Sequence, residues 1–122
     1  MKVIPKSLGG YLVIYVGDCT DCLDIDLTAL QRHCRAHKLE LVLLTMVSRK
    51  DVGRFERVAH LNAPAIFDPH RRLIQRLHAY WPGRLFLLSS HWKLLWLQAE
   101  PRSGFDPFIH PKFQLALRRV SN

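Results

Sequence analysis

The sequence lacks the features that mark several classes of protein. Charged residues or glycine interrupt every apolar run before it reaches the roughly 20 residues that a membrane-spanning helix needs. Three cysteines are too few for a disulfide-rich secreted scaffold. With 122 residues, 48% of them hydrophobic, the chain can bury an ordinary core without metals or disulfides. We therefore predict a single domain over residues 1–122, with its core in residues 11–120.

The amino terminus also lacks an apolar stretch of the length that a secretory signal needs. Residues 1–10 carry Lys2 and Lys6 around three aliphatic residues and a proline. If the chain is complete, a cytoplasmic location is predicted. If a signal was removed from it, the prediction is a periplasmic or otherwise exported protein.

Acidic residues are scarce relative to basic ones. The chain has 10 Asp and Glu against 18 Lys and Arg, a formal net charge of +8 and a pI of about 9.9, which favours attraction to acidic surfaces. The basic residues are spread over several segments and are interpreted mainly as solvated helix faces. They form no recognised nucleic-acid motif with interleaved aromatic residues, so nucleic acid is not predicted as a partner.

Hydrophobic periodicity predicts alternating strands and helices in the first half of the chain. The continuous apolar run Tyr11–Val16 is typical of a strand buried on both faces, and Leu39–Val47 predicts a second one. Ser48 is a candidate N-cap for a short helix that ends near His60. Four residues between the two strands recur with helical spacing: Leu23, Leu27, Leu30 and Cys34. The stripe predicts that the Cys34 thiol is a packing group.

The second half begins with a short strand at Ala65–Asp68, followed by one to two helical turns, which we interpret as an insertion. A Trp81-Pro82-Gly83 turn leads into two neighbouring runs, Arg84–Leu88 and Trp92–Leu97, that predict an antiparallel hairpin with its two tryptophans on one face. Pro111 suits the first turn of a final amphipathic helix.

The dithiol Cys19-Thr20-Asp21-Cys22 lies between the first strand and the first helix. A cysteine at the start of a helix lies near unpaired N–H groups and the positive end of the helix dipole, which stabilise the reactive thiolate. Two intervening residues let the second sulfur attack a mixed disulfide on the first. We therefore expect catalytic chemistry at Cys19 and Cys22.

In this order the elements resemble the thioredoxin-like superfamily, in the version found in TlpA-like thiol-disulfide oxidoreductases and peroxiredoxin-type domains. The resemblance implies an α/β fold with a central mixed sheet flanked by helices, a strand-helix insertion before the proline turn and a C-terminal hairpin. It also implies that Cys19 is the nucleophile, that Cys22 resolves the intermediate and that no cofactor takes part. The expected partner carries a protein or small-molecule disulfide or thiol. Trp81 and Pro82 are the expected substrate-binding residues, joined by a cis peptide bond.

The sequence departs from these families at several positions. Asp18 and Asp21 place carboxylates beside the reactive thiol and oppose its ionisation. Val13 occupies the position where plain thioredoxins bury an aspartate that helps proton transfer. One more residue than usual separates Pro82 from Phe86.

Two alternatives remain open at this stage. A peroxiredoxin-like peroxidase would use Arg84 to polarise the peroxide, but it also needs a threonine three residues before its reactive cysteine, where this chain has Val16 or Cys19. A non-catalytic binding module would keep the fold and use the basic surface. A zinc site is not predicted, because His33 and His37 lie too far along the helix to join the dithiol.

Overall fold

The computed structural model describes Ile4 and residues 9–17, 23, 25–47, 63–102 and 104–120. Within these residues the strands are β1 (Tyr11–Gly17), β2 (Glu40–Thr45), β3 (Ala65–Phe67), β4 (Leu85–Leu88) and β5 (Leu94–Leu97). The helices are α1 (Leu27–Ala36), α2 (Arg72–Arg76) and α3 (Pro111–Val120), and a short 3-10 helix spans Pro107–Ile109. The helix expected between Ser48 and His60 lies outside the described residues.

The strands form one mixed sheet in the order β3-β2-β1-β4-β5, as the resemblance implied. β1, β2 and β3 are parallel, whereas β4 runs antiparallel to β1 and pairs with β5 in the expected hairpin. β1 lies at the centre because every one of its seven residues is buried, so both faces of the strand need cover. Leu12 and Ile14 face the core that α1 and α3 complete, and Tyr11 and Val13 face the core beside α2.

The expected insertion is present as β3 and α2. A buried carboxylate joins them, because Asp68 follows β3 and its two oxygens accept hydrogen bonds from the backbone N–H groups of Arg72, at 3.1 Å, and Ile74, at 2.7 Å. These N–H groups have no partner within the helix, so the carboxylate stabilises the start of α2.

The two hairpin tryptophans lie on opposite faces of the sheet, so the expectation of a shared face is wrong. Trp92 precedes β5 with φ of 65° and stacks on Tyr11 with ring centroids 4.0 Å apart. Trp96 packs edge-on against Phe113 at 5.0 Å. The turn that begins at Ser89 extends through Trp92, whose N–H donates to the Ser89 carbonyl, and this breaks the strand alternation.

The packing role predicted for Cys34 is confirmed. Its side chain is fully buried on the inner side of α1. Burial raises the pKa of its thiol to about 12, with a smaller contribution from the charge of Glu40. A thiol with this pKa stays protonated and unreactive near neutral pH.

The final helix begins at Pro111, as expected, and buries Phe113, Ala116 and Val120. Proline suits this position because the first N–H groups of a helix have no partner within it. None of the helices in the described part of the chain combines the length and the apolar character needed to cross a bilayer.

Candidate dithiol site

Cys19 and Cys22 lie outside the described residues, but the chain is described on both sides of them. On the upstream side, the carbonyl of Gly17 accepts hydrogen bonds from the Thr45 hydroxyl, at 2.5 Å, and from the Met46 N–H, at 3.3 Å. Thr45 is fully buried, so this contact ties the end of β1 to the end of β2. The sheet thereby determines where the chain enters residues 18–22.

The Trp81-Pro82-Gly83-Arg84 segment is a tight turn with trans geometry. The Arg84 N–H donates to the Trp81 carbonyl at 3.3 Å, and Gly83 has φ of 96°. Proline at the second position and a positive-φ glycine at the third are the signature of a type II turn, whereas a cis-proline occupies the third position of its turn. No cis peptide bond occurs within the described residues, so the expected cis Trp81–Pro82 bond is wrong.

This turn contacts the chain on both sides of residues 18–22. A Cβ atom on Gly17 would lie 3.4 Å from Pro82 Cγ, so the proline ring packs on the residue just before Asp18. A Cβ atom on Gly83 would lie 3.7 Å from Ile25 Cδ1 and 3.9 Å from Leu23 Cδ2. The Gly83 N–H also donates to the carbonyl of Tyr15 in β1, at 2.6 Å.

Arg84 is a buried cation beside the turn. Its Nε donates to the Gln98 carbonyl at 2.9 Å, and one terminal nitrogen donates to the His78 carbonyl. Its guanidinium carbon lies 4.3 Å from the centroid of the Trp81 ring, a cation–π distance. Burial lowers the pKa of Arg84. Within the described part of the chain no carboxylate pairs with it, so main-chain carbonyls and an aromatic face hold the charge.

The first helix does not start at the dithiol. α1 begins at Leu27, five positions after Cys22, and Asp26 is its extended N-cap residue. The Asp26 carboxylate accepts the Ala29 N–H at 3.1 Å, which satisfies a first-turn donor. The expectation that the dithiol opens this helix is therefore wrong. Leu23, the first residue of the predicted stripe, lies before the helix, and the sequence signal for its start was the N-cap candidate Asp26 directly before Leu27.

A cleft opens between the start of α1 and the segment before α3. Its volume is about 490 Å³, and its lining includes Leu23, Ile25, Leu30, Phe105 and Pro107. Because Leu23 follows Cys22 directly, the cleft reaches the downstream border of the dithiol segment. An apolar side chain could enter it beside Leu23.

The two helix histidines make packing contacts in α1 and just after it. His37 Nδ1 lies 2.9 Å from the His33 carbonyl, and the His37 ring stacks on Phe108 with centroids 4.8 Å apart. No group of three potential metal ligands comes together among the residues that the structure describes.

No protein-family profile matches the sequence, and no curated protein matches it. Solved structures do. A thioredoxin-like protein from Porphyromonas gingivalis matches with a TM-score of 0.64 and 12% identity over 93% of this chain and 76% of its own. StoA from Bacillus subtilis matches with a TM-score of 0.58 and 18% identity, over 92% of this chain and 83% of its own. A putative thiol:disulfide interchange protein DsbE from Chlorobium tepidum matches with a TM-score of 0.52 and 14% identity, over 96% of this chain and 83% of its own. At these identities the likeness concerns the fold alone.

Proposed function

We propose, from the thioredoxin-like fold of this chain, that it is a thiol-disulfide oxidoreductase whose redox centre is Cys19 and Cys22. The observation that supports this most directly is the contact of the Trp81–Arg84 turn with Gly17 on one side of the dithiol and with Leu23 and Ile25 on the other. A partner bound at the turn would lie next to the cysteines. Two thiol:disulfide interchange proteins from Chlorobium tepidum, one of them a putative DsbE, have a similar fold.

The proposed reaction is a two-step exchange. The Cys19 thiolate attacks one sulfur of the partner's disulfide, forms a mixed disulfide and releases the other partner sulfur as a thiolate, which takes up a proton. Cys22 then loses its proton and attacks the Cys19 sulfur, which releases the second partner thiol. The partner gains two electrons and two protons, and Cys19 and Cys22 become a disulfide. The reverse sequence oxidises a partner dithiol.

Trp81 and Pro82 are proposed to contact the partner through their rings. The Trp81 carbonyl already accepts the Arg84 N–H, so a strand-like main-chain pairing at this carbonyl is not part of the proposal. Pro82 is exposed and Trp81 is half-buried, which leaves apolar surface for contact. The cleft beside Leu23 would take an apolar side chain near the partner's disulfide.

The cysteine roles are tested by trapping. Variants Cys19→Ser, Cys22→Ser and Cys34→Ser are incubated with a disulfide-bearing protein, and the adducts are resolved on non-reducing gels. Cys22→Ser should accumulate a mixed disulfide, because the nucleophile remains while the resolving thiol is gone. Cys19→Ser should trap nothing. Cys34→Ser should behave like the parent protein, because Cys34 is buried. Equal trapping by the Cys19 and Cys22 variants would contradict the assignment.

A binding module without catalysis is the second candidate, and the start of α1 favours it. Because α1 begins at Leu27 and the Asp26 carboxylate accepts the Ala29 N–H of its first turn, we do not expect the N–H groups of α1 to stabilise a thiolate at Cys19. Insulin reduction with dithiothreitol separates the two candidates. A protein that accelerates the reaction through Cys19 is an oxidoreductase, and one that leaves the rate unchanged is a binding module.

A further inference from the structure

α3 carries an outer face that combines positive charge with exposed aliphatic side chains. Leu115 is 56% exposed, and Ile109, just before the helix, is 75% exposed. Cationic residues on the exposed side of α3 accompany them. We call four residues of the helix the α3 face: Lys112, Leu115, Arg118 and Arg119. Ile109 precedes this face in the chain.

Helical spacing places the cations around the apolar centre. Leu115 comes three residues after Lys112, three before Arg118 and four before Arg119, and residues three and four apart are neighbours on a helix surface. The buried side of α3 faces the sheet, so these side chains point away from the core. The result is an aliphatic residue surrounded by three positive charges.

No carboxylate balances this charge within the helix. α3 contains neither Asp nor Glu. Among the described residues, none of its three cations forms an ion pair. α2 provides a natural comparison, since it also lacks acidic residues and exposes Arg72 and Arg76, but its aliphatic residues are half-buried or buried. The two helices pack on opposite faces of the sheet, so similar charge occurs with and without an exposed apolar centre.

Anionic lipid is the partner that matches both properties. Exposed aliphatic side chains gain by leaving water, and each Lys or Arg near an anionic bilayer strengthens binding about fivefold. Single-stranded nucleic acid would favour stacking aromatic rings, whereas the exposed aromatic side chains of the described residues, Tyr80 and Trp92, lie outside the α3 face. A duplex binds cations through its phosphates and offers no apolar phase for the exposed Leu115 side chain. One convex helix about 15 Å long is also small for a stable protein interface, which buries about 800 Å² on each partner.

We propose that the α3 face docks peripherally on an anionic lipid bilayer, with Leu115 entering the boundary between headgroups and acyl chains and the three cations contacting the headgroups. This role is independent of disulfide exchange.

The test is co-sedimentation with phosphatidylcholine vesicles that contain or lack phosphatidylglycerol. The protein should bind only the anionic vesicles. The double variant Arg118→Gln/Arg119→Gln should weaken binding roughly 30-fold, from about fivefold per cation. Leu115→Gln, which keeps a good helix former, should weaken it severalfold at unchanged charge. Circular dichroism verifies that each variant is folded.

The matched control is Arg72→Gln/Arg76→Gln, which removes the same charge from α2. It should weaken vesicle binding less than about threefold, because salt largely screens charges on the side of the protein that does not contact the bilayer. Equal weakening by the control would mean that net charge alone attracts the protein, and the proposal would be wrong. Unchanged binding by Leu115→Gln would also overturn it, since no apolar side chain would then take part. The absence of binding to anionic vesicles would overturn it too, and would leave an acidic protein as the partner of this face.

Discussion

Arg84 has an unusual environment for its type, because it is buried and no carboxylate among the described residues pairs with it. A buried charge without a partner of opposite charge is costly, so the contacts that compensate for it matter. Here they come from carbonyls at His78 and Gln98, which are distant in sequence, and from the ring of Trp81. Arg84 thereby joins the chain before and after the β4–β5 hairpin and orients the indole next to Pro82. We interpret it as a positioning residue for the turn.

Replacing Arg84 by Met should therefore free the Trp81 ring. Leaving the buried Gln98 carbonyl and the part-buried His78 carbonyl without their donor should lower the free energy of unfolding by about 2 kcal/mol. The fluorescence maximum of Trp81 should shift, measured with Trp92 and Trp96 replaced by Phe. In disulfide exchange, KM for a protein substrate should rise, while the rate with a small disulfide stays near that of the parent.

Arg84→Lys is the conservative companion, because it keeps the charge near the ring but loses the planar fork of donors. In Arg84→Lys, the fluorescence maximum of Trp81 should lie between that of the parent and that of Arg84→Met. Arg76→Met removes an exposed arginine and controls for net charge. Unchanged Trp81 emission in Arg84→Met would show that the guanidinium does not position the indole. A fully inactive parent protein would instead argue against the proposed function and leave this fluorescence result valid.

Cys34 makes stability depend on pH at alkaline values. Its folded pKa of about 12 exceeds the ordinary unfolded value of about 8.5, so above that value the unfolded chain releases its proton first. The contribution of the buried thiol to the free energy of unfolding is fully present below the pKa of the unfolded chain. It is lost as the pH rises toward the pKa of the folded chain. The free energy of unfolding should fall by up to about 1.4 kcal/mol per pH unit in this window.

The measurement is urea unfolding of the Cys19→Ser/Cys22→Ser protein with and without Cys34→Ala. The stability difference between the two should shrink as pH rises above about 9. Subtracting the alanine variant removes the titration of tyrosines and lysines common to both. A difference that does not vary with pH would show that Cys34 ionises as readily in the folded chain as in the unfolded one.

At the scale of elements, changes at the N-terminus of α1 should affect the stability of the helix without affecting the reactivity of Cys19. Asp26→Ala should lower the free energy of unfolding by about 1 kcal/mol, because the Ala29 N–H loses its acceptor, whereas Asp26→Asn should stay close to the parent. Because α1 starts at Leu27, the alkylation pKa of Cys19 should not follow these changes in helix stability. Alkylation across pH in a Cys22→Ser/Cys34→Ala background measures it. A Cys19 pKa that rises as the helix is weakened would show that the α1 dipole does reach the thiol.

At the scale of the whole molecule, redox state and stability are linked. From their positions in the sequence, Asp18 and Asp21 are expected to disfavour the thiolate, and a poorly stabilised thiolate favours the disulfide form. The potential should therefore lie nearer thioredoxin's value of about −270 mV than the value of about −120 mV of the oxidant DsbA. The oxidised protein should also resist urea better than the reduced protein.

Equilibration with a glutathione buffer measures the potential, in a Cys34→Ala background so that only Cys19 and Cys22 respond. Asp18→Asn/Asp21→Asn should make the couple more oxidising, because it removes both negative charges. A parent potential near that of DsbA, or a reduced form more stable than the oxidised one, would mean that the abundant basic residues outweigh the two carboxylates.

Local pattern was enough to predict the main elements. The apolar run at Tyr11–Val16 predicted the central strand, and Pro111 predicted the start of α3. The helical stripe predicted the inner side of α1 at Leu27, Leu30 and Cys34, although its first residue, Leu23, lies before the helix. These features depend on which side of one element is apolar, and neighbouring residues encode that directly. The order of the elements then led to the mixed sheet. The roles of Cys19, Cys22, Trp81 and Pro82 remain predictions.

Tertiary structure decided the features that depend on residues far apart in sequence. Trp92 and Trp96 lie on opposite faces because Trp92 belongs to the hairpin turn and precedes β5, whereas Trp96 lies within the strand. The trans turn at Pro82 is joined to β1 by the Gly83 N–H, and Arg84 finds its acceptors on either side of the hairpin. A sequence pattern carries the period of one element, whereas these contacts exist only after the sheet has brought separate segments together.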